Sequence, residues 1–254
     1  MSLKELLPEV GSGVKPQSPQ TDPVTTTDRM VHNPAAVSFH DTLAGTWEEE
    51  YKSEAFGQRL AVIAELAPRK LHGQRWMDAG SGTGTISRWL AAERGASVVA
   101  IDGSRNMIAH ATCADRVEYR VGDIVSTGLP DESFDGIVCS SVLEYLLSPE
   151  SALKEFRRLL KPGGLLLVSV PNGALSVRLP LKLIYWLTRP LGKRRRVAYL
   201  DHSKHSYSTT QLEGTLSRGG FAVERMVKYG RFVLPFGIPA SRSGILIMAL
   251  TRKA

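Results

Sequence analysis

From residue 75 onward, short apolar runs rich in β-branched residues alternate with amphipathic stretches. The runs are "RWMDAG", "SVVAID", "VEYRVGD", "FDGIVCS" and "GLLLVSV". Between them the pattern predicts helices at Thr85–Arg94, from near Ser104 to Ala114, and around Pro149 to Leu160. Strands that alternate with helices indicate an α/β fold, in which a mostly parallel sheet has helices on both faces.

The two ends of the chain differ from this alternation. Residues 35–70 predict two cap helices that break near Ser53, whereas residues 1–34 are rich in Pro, Ser, Thr and Gly and predict a disordered or loosely attached arm. Near the C-terminus, "STTQLEGTLSRGG" predicts a helix with a Ser/Thr cap and a Gly stop, and "FAVERMVKYG" and "GILIMALTRK" predict two closing strands. We therefore expect one domain over 35–254, with an insert at 173–206.

The insert carries the net charge of the protein. The chain has a formal charge of +7, and eight Lys or Arg against a single acid, Asp201, lie between Asn172 and Ser206. The remainder has 24 basic and 24 acidic residues and is neutral. An anionic partner is therefore expected to meet the insert.

Within the insert, residues 179–196 combine an apolar stretch with the basic run "KRRR". A helix starting at Pro180 would place an apolar face opposite Lys182 and Arg189, with Tyr185 and Trp186 at its borders. This pattern is typical of a helix lying on an anionic membrane surface. The alternative is a lid helix that packs its apolar face on the domain.

Composition narrows the location and the class of partner. Two cysteines without a C-x-x-C motif disfavour a disulfide scaffold or a cysteine zinc site, and fit a reducing compartment. No apolar run approaches the length of a membrane span, so we expect a cytoplasmic protein whose contact with a membrane would be peripheral. Aromatic residues make up only 7% of the chain, and nucleic acid is disfavoured as a partner.

A glycine turn follows the first strand. "MDAGSGTGT" places Gly80, Gly82 and Gly84 where backbone N–H groups can approach a ligand, and Thr85 stands where a dinucleotide fingerprint would have Gly or Ala. Asp102 ends the second strand and Asp123 follows the third. Because ligands of such sheets bind at the carboxyl ends of the strands, this pattern predicts a pocket for an adenosine that carries a group other than pyrophosphate.

These motifs together resemble the class I S-adenosylmethionine-dependent methyltransferases. The resemblance covers about Phe39 to Asn172 and includes "WMDAGSGTGT", "VVAIDGSRNM", "VEYRVGDI", "FDGIVCSSVLEYL" and "LLKPGGLLLVSVPN". It implies S-adenosyl-L-methionine as cofactor, S-adenosyl-L-homocysteine as product, and a Rossmann-like sheet of seven strands whose last strand is antiparallel. The residues implied to bind the cofactor are Arg59, Asp78, Ala79, Gly80, Ser81, Gly82, Gly84, Asp102, Gly103, Met107, Asp123, Ile124 and Ser140.

The resemblance also implies roles for some of them. Around the methionine part lie Asp78, Ala79, Gly80 and Gly82, and Asp102 holds the ribose. Met107 and Ile124 flank the adenine, Asp123 meets its amino group, and Ser140 lies beside the sulfonium. Arg59 resembles an arginine that reaches the methionine carboxylate in some relatives. An exposed helix arginine is the alternative.

Within this family, the chain most resembles the quinone-biosynthesis O-methyltransferases, notably the ubiquinone-biosynthesis group. It departs from the pattern of that group at one place. Members that use magnesium carry E-x-x-E-H after the fourth strand, where this chain has Ser141, Val142, Leu143, Glu144 and Tyr145. No metal is therefore predicted. Imidazole suits a general base, so His202 and His205 in "DHSKHSYS" are the catalytic candidates, and a pair of surface histidines is the alternative. His40 and Tyr51 are further candidates for lining the acceptor pocket.

The resulting expectation is O-methylation of a hydrophobic or lipid-linked small molecule, performed at a membrane surface. A magnesium-protoporphyrin O-methyltransferase-like activity, a soluble natural-product methyltransferase and a non-catalytic S-adenosylmethionine-binding module are the alternatives.

Overall fold

The computed structural model describes residues 33–51, 54–174, 201–230 and 244–254, together with 177, 179, 182 and 186; side chains at 50–56 are not described. Its centre is a seven-stranded sheet in the order β3-β2-β1-β4-β5-β7-β6. The strands are β1 Arg75–Ala79, β2 Ser97–Asp102, β3 Val117–Val121, β4 Phe134–Ser140, β5 Leu160–Pro171, β6 Phe221–Tyr229 and β7 Leu246–Lys253. The β7 strand runs antiparallel to both β5 and β6, which confirms the expected fold class.

Helices connect these strands and cap the N-terminal side. They are α1 Pro34–Asp41, α2 Trp47–Tyr51, α3 Glu54–Leu66, α4 Thr85–Arg94, α5 Arg105–Ala109, α6 Pro149–Leu159 and α7 Thr209–Arg218. Ser208 caps α7 by accepting a hydrogen bond from the Gln211 amide, while the Gln211 side chain accepts one from the Ser208 amide. This reciprocal pair is a capping box, and it fixes where the helix begins.

One predicted helix is shorter than expected. The α5 helix ends at Ala109, whereas the pattern extended it to Ala114. The Tyr119 hydroxyl donates a 3.0 Å hydrogen bond to the carbonyl of Thr112, which holds the chain in a turn toward β3. Tertiary contact has overridden a weak helical pattern here.

The sheet is covered on both faces by apolar side chains. One face packs residues such as Phe134, Ile137 and Phe156, and the other packs Trp76, Trp89 and Leu90; all six are almost fully buried. Gly136 makes the close packing of Trp76 possible, because a Cβ at this glycine would lie 2.4 Å from the indole ring. The carboxyl ends of β1, β2, β3 and β4 thus meet at one edge of a rigid sheet.

Two predicted segments lie largely outside the described residues. These are the arm at 1–34, of which 33 and 34 are described, and the basic stretch at 179–196, including the "KRRR" run. At the described positions Val177, Leu179, Lys182 and Trp186 the backbone is helical. Among the described helices, none has the length and apolar character needed to cross a bilayer.

Candidate active site

The glycine turn between β1 and α4 adopts a backbone that only glycine adopts without strain. Gly80, Gly82 and Gly84 have φ angles of +76°, +56° and +83°. The N–H groups of Gly80 and Ser81 both donate to the carbonyl of Ile101, at 2.8 and 3.0 Å, which ties the turn to β2. The turn is therefore fixed at the carboxyl edge of the sheet, directly after the buried Ala79.

The glycines also leave no room for a side chain. A Cβ on Gly80 would lie 2.3 Å from Cγ2 of Val142, and one on Gly84 would lie 2.4 Å from the ring of Tyr119. At Gly82 it would lie 2.7 Å from the indole nitrogen of Trp47. Neighbouring elements thus pack directly on the bare backbone of the turn.

Asp102 connects the end of β2 to this turn. Its Oδ2 accepts the N–H of Gly82 at 2.7 Å, and its Oδ1 accepts the N–H of Ser104 at 2.8 Å. A carboxylate has about four lone-pair sites, so each oxygen can still accept another hydrogen bond. Burial raises the pKa of Asp102, and the two N–H donors oppose this by favouring the charged form.

Asp78 lies beneath the turn and is 1% exposed. The Ser87 hydroxyl donates a 2.6 Å hydrogen bond to its Oδ2. Burial raises the pKa of Asp78 to about 7, although the bond from Ser87 opposes this shift. A carboxyl with this pKa can change its charge when a cationic group arrives beside it.

The residues expected around the adenine lie along β3 and α5. Met107 and Ile124 are buried, at 1% and 5% exposure. Oδ1 of Asp123 accepts the N–H of Val125 at 3.1 Å, which holds that loop turned after β3. At Gly103, a Cβ would lie 3.4 Å from Val37 of α1, so the cap helix covers this side of the edge.

The end of β4 combines a strained backbone with a buried hydroxyl. Ser141 has a φ of +58°, which is unusual for a residue other than glycine. Its side chain accepts a 2.9 Å hydrogen bond from Nη2 of Arg59, which is 7% exposed and therefore not the exposed helix arginine of the alternative. Next to it, Oγ of Ser140 is buried and has no hydrogen-bond partner among the described residues.

A group of rings covers this edge, and we call it the aromatic cap: Phe39, His40, Trp47, Tyr145 and His202. His40 lies edge-on to Trp47 and Tyr145, with ring centroids 5.6 and 4.9 Å away. The Phe39 ring stacks on His202 at 4.5 Å. The N-terminal helices, the turn after β4 and the loop before α7 therefore meet above the glycine turn.

Polar contacts hold the aromatic cap on the domain. The Ser104 hydroxyl donates to a carboxylate oxygen of Asp41 at the end of α1. Arg88 of α4 pairs with Glu48 of α2 at 2.6 Å and donates to the Thr83 carbonyl at 2.7 Å. The cap is thus docked on the helices that begin at the glycine turn and after β2.

The two histidines predicted as base candidates have different environments. Nε2 of His205 lies 3.1 Å from the carbonyl of Leu146, and the His205 amide donates to the Glu144 carbonyl at 3.2 Å. His202 is only partly buried and stacks on Phe39. Both remain predictions, since no contact among the described residues places either ring against the glycine turn.

The geometry fits the cofactor that the sequence resemblance implied. A side-chain-free turn, the Asp102 carboxylate with its spare acceptor sites and the unpartnered Ser140 hydroxyl all lie at one edge of the sheet. Sequence reasoning missed Trp47 and Val142, since no periodicity marks two residues whose role is to pack on a glycine backbone. Among the described residues, no three His, Cys, Asp or Glu side chains converge as metal ligands would.

Comparison with known proteins gives one family and several relatives. Residues 77–168 match the family model of the methyltransferase domain. The chain is 38% identical over 114 residues to the demethylmenaquinone methyltransferase of Clavibacter sepedonicus, covering 43% of this chain and 45% of that protein. It is 32% identical over 163 residues to the ubiquinone biosynthesis O-methyltransferase of Alkalilimnicola ehrlichii, covering 60% and 65%. The chain thus matches less than two thirds of the length of either relative.

The fold is also found among solved structures. One from Thermotoga maritima, described as an S-adenosylmethionine-dependent methyltransferase, superposes with a TM-score of 0.63 and 20% identity. The match covers 85% of this chain and 99% of the other. At this level of identity, the likeness establishes the shared fold.

Proposed function

We propose that this chain, whose residues 77–168 match the methyltransferase domain, is a class I S-adenosylmethionine-dependent methyltransferase that transfers a methyl group to an oxygen atom of a hydrophobic or lipid-linked small molecule. The observation that carries the transfer reaction is the junction of Gly82 with Asp102, where a bare backbone and a carboxylate with free acceptor sites meet at the carboxyl edge. The cofactor-binding set is the one given by the sequence, from Arg59 to Ser140.

The chain has few chemical tasks in such a reaction. Bound S-adenosylmethionine supplies an electrophilic methyl group on its sulfonium. The protein must hold the acceptor oxygen in line with that methyl group and exclude water. The aromatic cap suits this role because its rings cover the edge where the methyl group would lie.

Two observations favour an oxygen acceptor on an apolar molecule. The aromatic cap offers ring faces to an acceptor, which suits an aromatic or prenylated compound. Of the two relatives reported above, one is named a demethylmenaquinone methyltransferase and the other a ubiquinone biosynthesis O-methyltransferase. A methyltransferase fold does not by itself determine the acceptor, so this assignment depends on the site.

The test is transfer of a labelled methyl group from S-adenosylmethionine to extracts of the source cells. We expect label in the lipid-soluble extract, in a product that releases methanol on alkaline treatment if it is an ester and resists it if it is an ether. Label confined to the water-soluble extract would refute the apolar acceptor and favour soluble natural-product methylation. Binding of the cofactor without transfer to any extract would indicate a binding module.

We also propose that the insert attaches the protein reversibly to an anionic membrane surface. Leu179 and Trp186 are 61% and 70% exposed, and on a continuous helix their spacing would put them on the same side as the exposed Lys182. An exposed aromatic ring beside a basic residue is typical of an interfacial helix. The basic run that follows would add about 1 kcal/mol per charge close to an anionic surface.

Vesicle flotation tests this attachment. The protein should co-float with anionic vesicles, lose this association as salt is added, and show a blue-shifted Trp186 emission that is absent in Trp186→Ala. Equal recovery with neutral and anionic vesicles, or no recovery with either, would favour the lid alternative.

A further inference from the structure

His40 occupies the centre of the aromatic cap. It lies in the last turn of α1, and its ring is edge-on to Trp47, which packs on Gly82, and to Tyr145, which follows β4. It is also within electrostatic range of Asp102 at the end of β2. Three elements of the cofactor edge therefore surround one imidazole.

The backbone fixes which nitrogen of this imidazole carries hydrogen. Nδ1 of His40 lies 2.7 Å from the carbonyl oxygen of Ala36. A carbonyl can only accept, so the hydrogen is on Nδ1, and in the neutral ring Nε2 has a free lone pair. No described residue forms a hydrogen bond with Nε2. The ring is thus oriented as a base, with one nitrogen anchored and the other available.

Burial keeps the His40 ring neutral near physiological pH. Burial lowers the pKa of His40, and the neighbouring His202 lowers it further. The Ala36 carbonyl, Asp102 and Asp41 oppose this shift, and Tyr145 presents its ring to the imidazole. Burial is the largest of these effects, so the base form predominates at neutral pH.

We propose that His40 is the catalytic base of the methyl transfer and that Tyr145 is a positioning residue that holds its ring. The inference rests on the proposed oxygen acceptor, because a hydroxyl must lose its proton as it is methylated. The acceptor O–H bond breaks and its proton moves to Nε2 of His40. The acceptor oxygen forms the new bond to the methyl carbon, while the bond from that carbon to sulfur breaks and its electron pair stays on sulfur. The imidazolium then releases the proton to water.

The first test measures the imidazole itself and needs no acceptor. Long-range ¹H–¹⁵N spectra of the protein with bound S-adenosylhomocysteine should show His40 as the Nδ1–H tautomer, titrating below the ordinary histidine pKa of about 6.5. The signal is identified by its loss in His40→Asn, a change that keeps a short donor toward Ala36 and removes Nε2. A hydrogen on Nε2, or a ring still charged above its ordinary pKa, overturns the proposal.

The second test is the pH dependence of methyl transfer to the lipid-soluble extract. His40→Asn should lower the rate at neutral pH by about 100-fold or more, the usual contribution of a general base. Its rate should recover as the pH rises, because the acceptor hydroxyl then ionises without help, whereas the wild-type rate levels off above the His40 pKa. A variant that keeps more than a tenth of the rate with the wild-type pH profile overturns the proposal.

His110→Asn is the matched control. Its Nδ1 also bonds the carbonyl four residues earlier, at 2.8 Å from Asn106, but the ring is exposed. This variant should keep the wild-type rate and pH profile. Tyr145→Phe should retain most of the rate, since it keeps the ring, while Tyr145→Ala should lose rate and let the His40 pKa rise toward its ordinary value.

Failure of this inference differs from failure of the proposed function. If the wild-type protein labels no extract, oxygen methylation itself fails. If it labels the lipid extract and His40→Asn does so equally, only the assignment of the base fails. Calorimetry with S-adenosylhomocysteine shows whether His40→Asn retains its cofactor site. If the variant has lost that site, its rate no longer tests the base, and the tautomer of His40 in the wild-type protein decides whether the proposal stands.

Discussion

The buried carboxyl of Asp78 should make the stability of the protein depend on pH in an unusual direction. Its folded pKa of about 7 lies well above the ordinary aspartate value of about 3.9. Between these values the folded protein holds a proton that the unfolded chain has lost. The free energy of unfolding contributed by this group is therefore fully present below the lower pKa, and it falls as the pH rises toward the upper one.

The magnitude follows from the same two pKa values. One pKa unit corresponds to about 1.4 kcal/mol, so the difference in unfolding free energy between wild type and Asp78→Asn should fall by roughly 2.5 kcal/mol between about pH 5 and pH 8. Asn keeps the size of the side chain and can still bond Ser87 but does not titrate. Urea unfolding of both proteins at several pH values measures this difference.

An exposed carboxyl provides the control for this measurement. Asp115→Asn alters an exposed residue in the turn before β3, and its difference from wild type should stay nearly flat over the same pH range. If the Asp78→Asn difference is equally flat, or rises with pH, then Asp78 is ionised in the folded protein at low pH and the argument from burial is wrong.

Two further predictions concern the same edge of the sheet. Gly80→Ala should destabilise the protein by about 1–3 kcal/mol more than Gly128→Ala in thermal or urea unfolding. Both glycines have positive φ, but only at Gly80 would a Cβ lie against Val142. Equal losses of stability would show that the contact relaxes. Ser140→Ala should leave the free protein equally stable or stabilise it by up to about 1 kcal/mol, because it removes a buried hydroxyl that has no partner among the described residues. The same change should weaken S-adenosylhomocysteine binding in calorimetry. A clear loss of stability would show that the hydroxyl has a structural role.

The sheet was predictable from the sequence because parallel strands buried on both faces must be continuously apolar and must alternate with helices. The burial of β4 along almost its whole length, and the match of α4 to Thr85–Arg94, follow from this local pattern. The junction of the glycine turn with Asp102 was predictable for a related reason. A glycine turn and a carboxylate at a strand end both stand at fixed distances from the strands that position them.

The aromatic cap was not predictable in the same way. His40 and Tyr145 are separated by about a hundred residues, and their contact depends on how α1 docks through Asp41 and Ser104. The sequence favoured His202 and His205 because they come just after the basic stretch of the insert, where class I enzymes often build the acceptor pocket. Neither periodicity nor composition indicates that the ring of His40 lies against Trp47 and Tyr145, whereas the ring of His205 lies against the carbonyl of Leu146.

The central claim is that the glycine turn and Asp102 together hold the nucleoside of a methyl donor. Isothermal titration of S-adenosylhomocysteine into the wild-type protein and into Asp102→Ala tests it most directly. We expect saturable binding of one molecule per chain to the wild type, weakened at least about 10-fold in Asp102→Ala by the loss of hydrogen bonds to a charged group, each worth about 1.5–3 kcal/mol. No measurable binding to the wild type, or equal affinity in the two proteins, would contradict the claim.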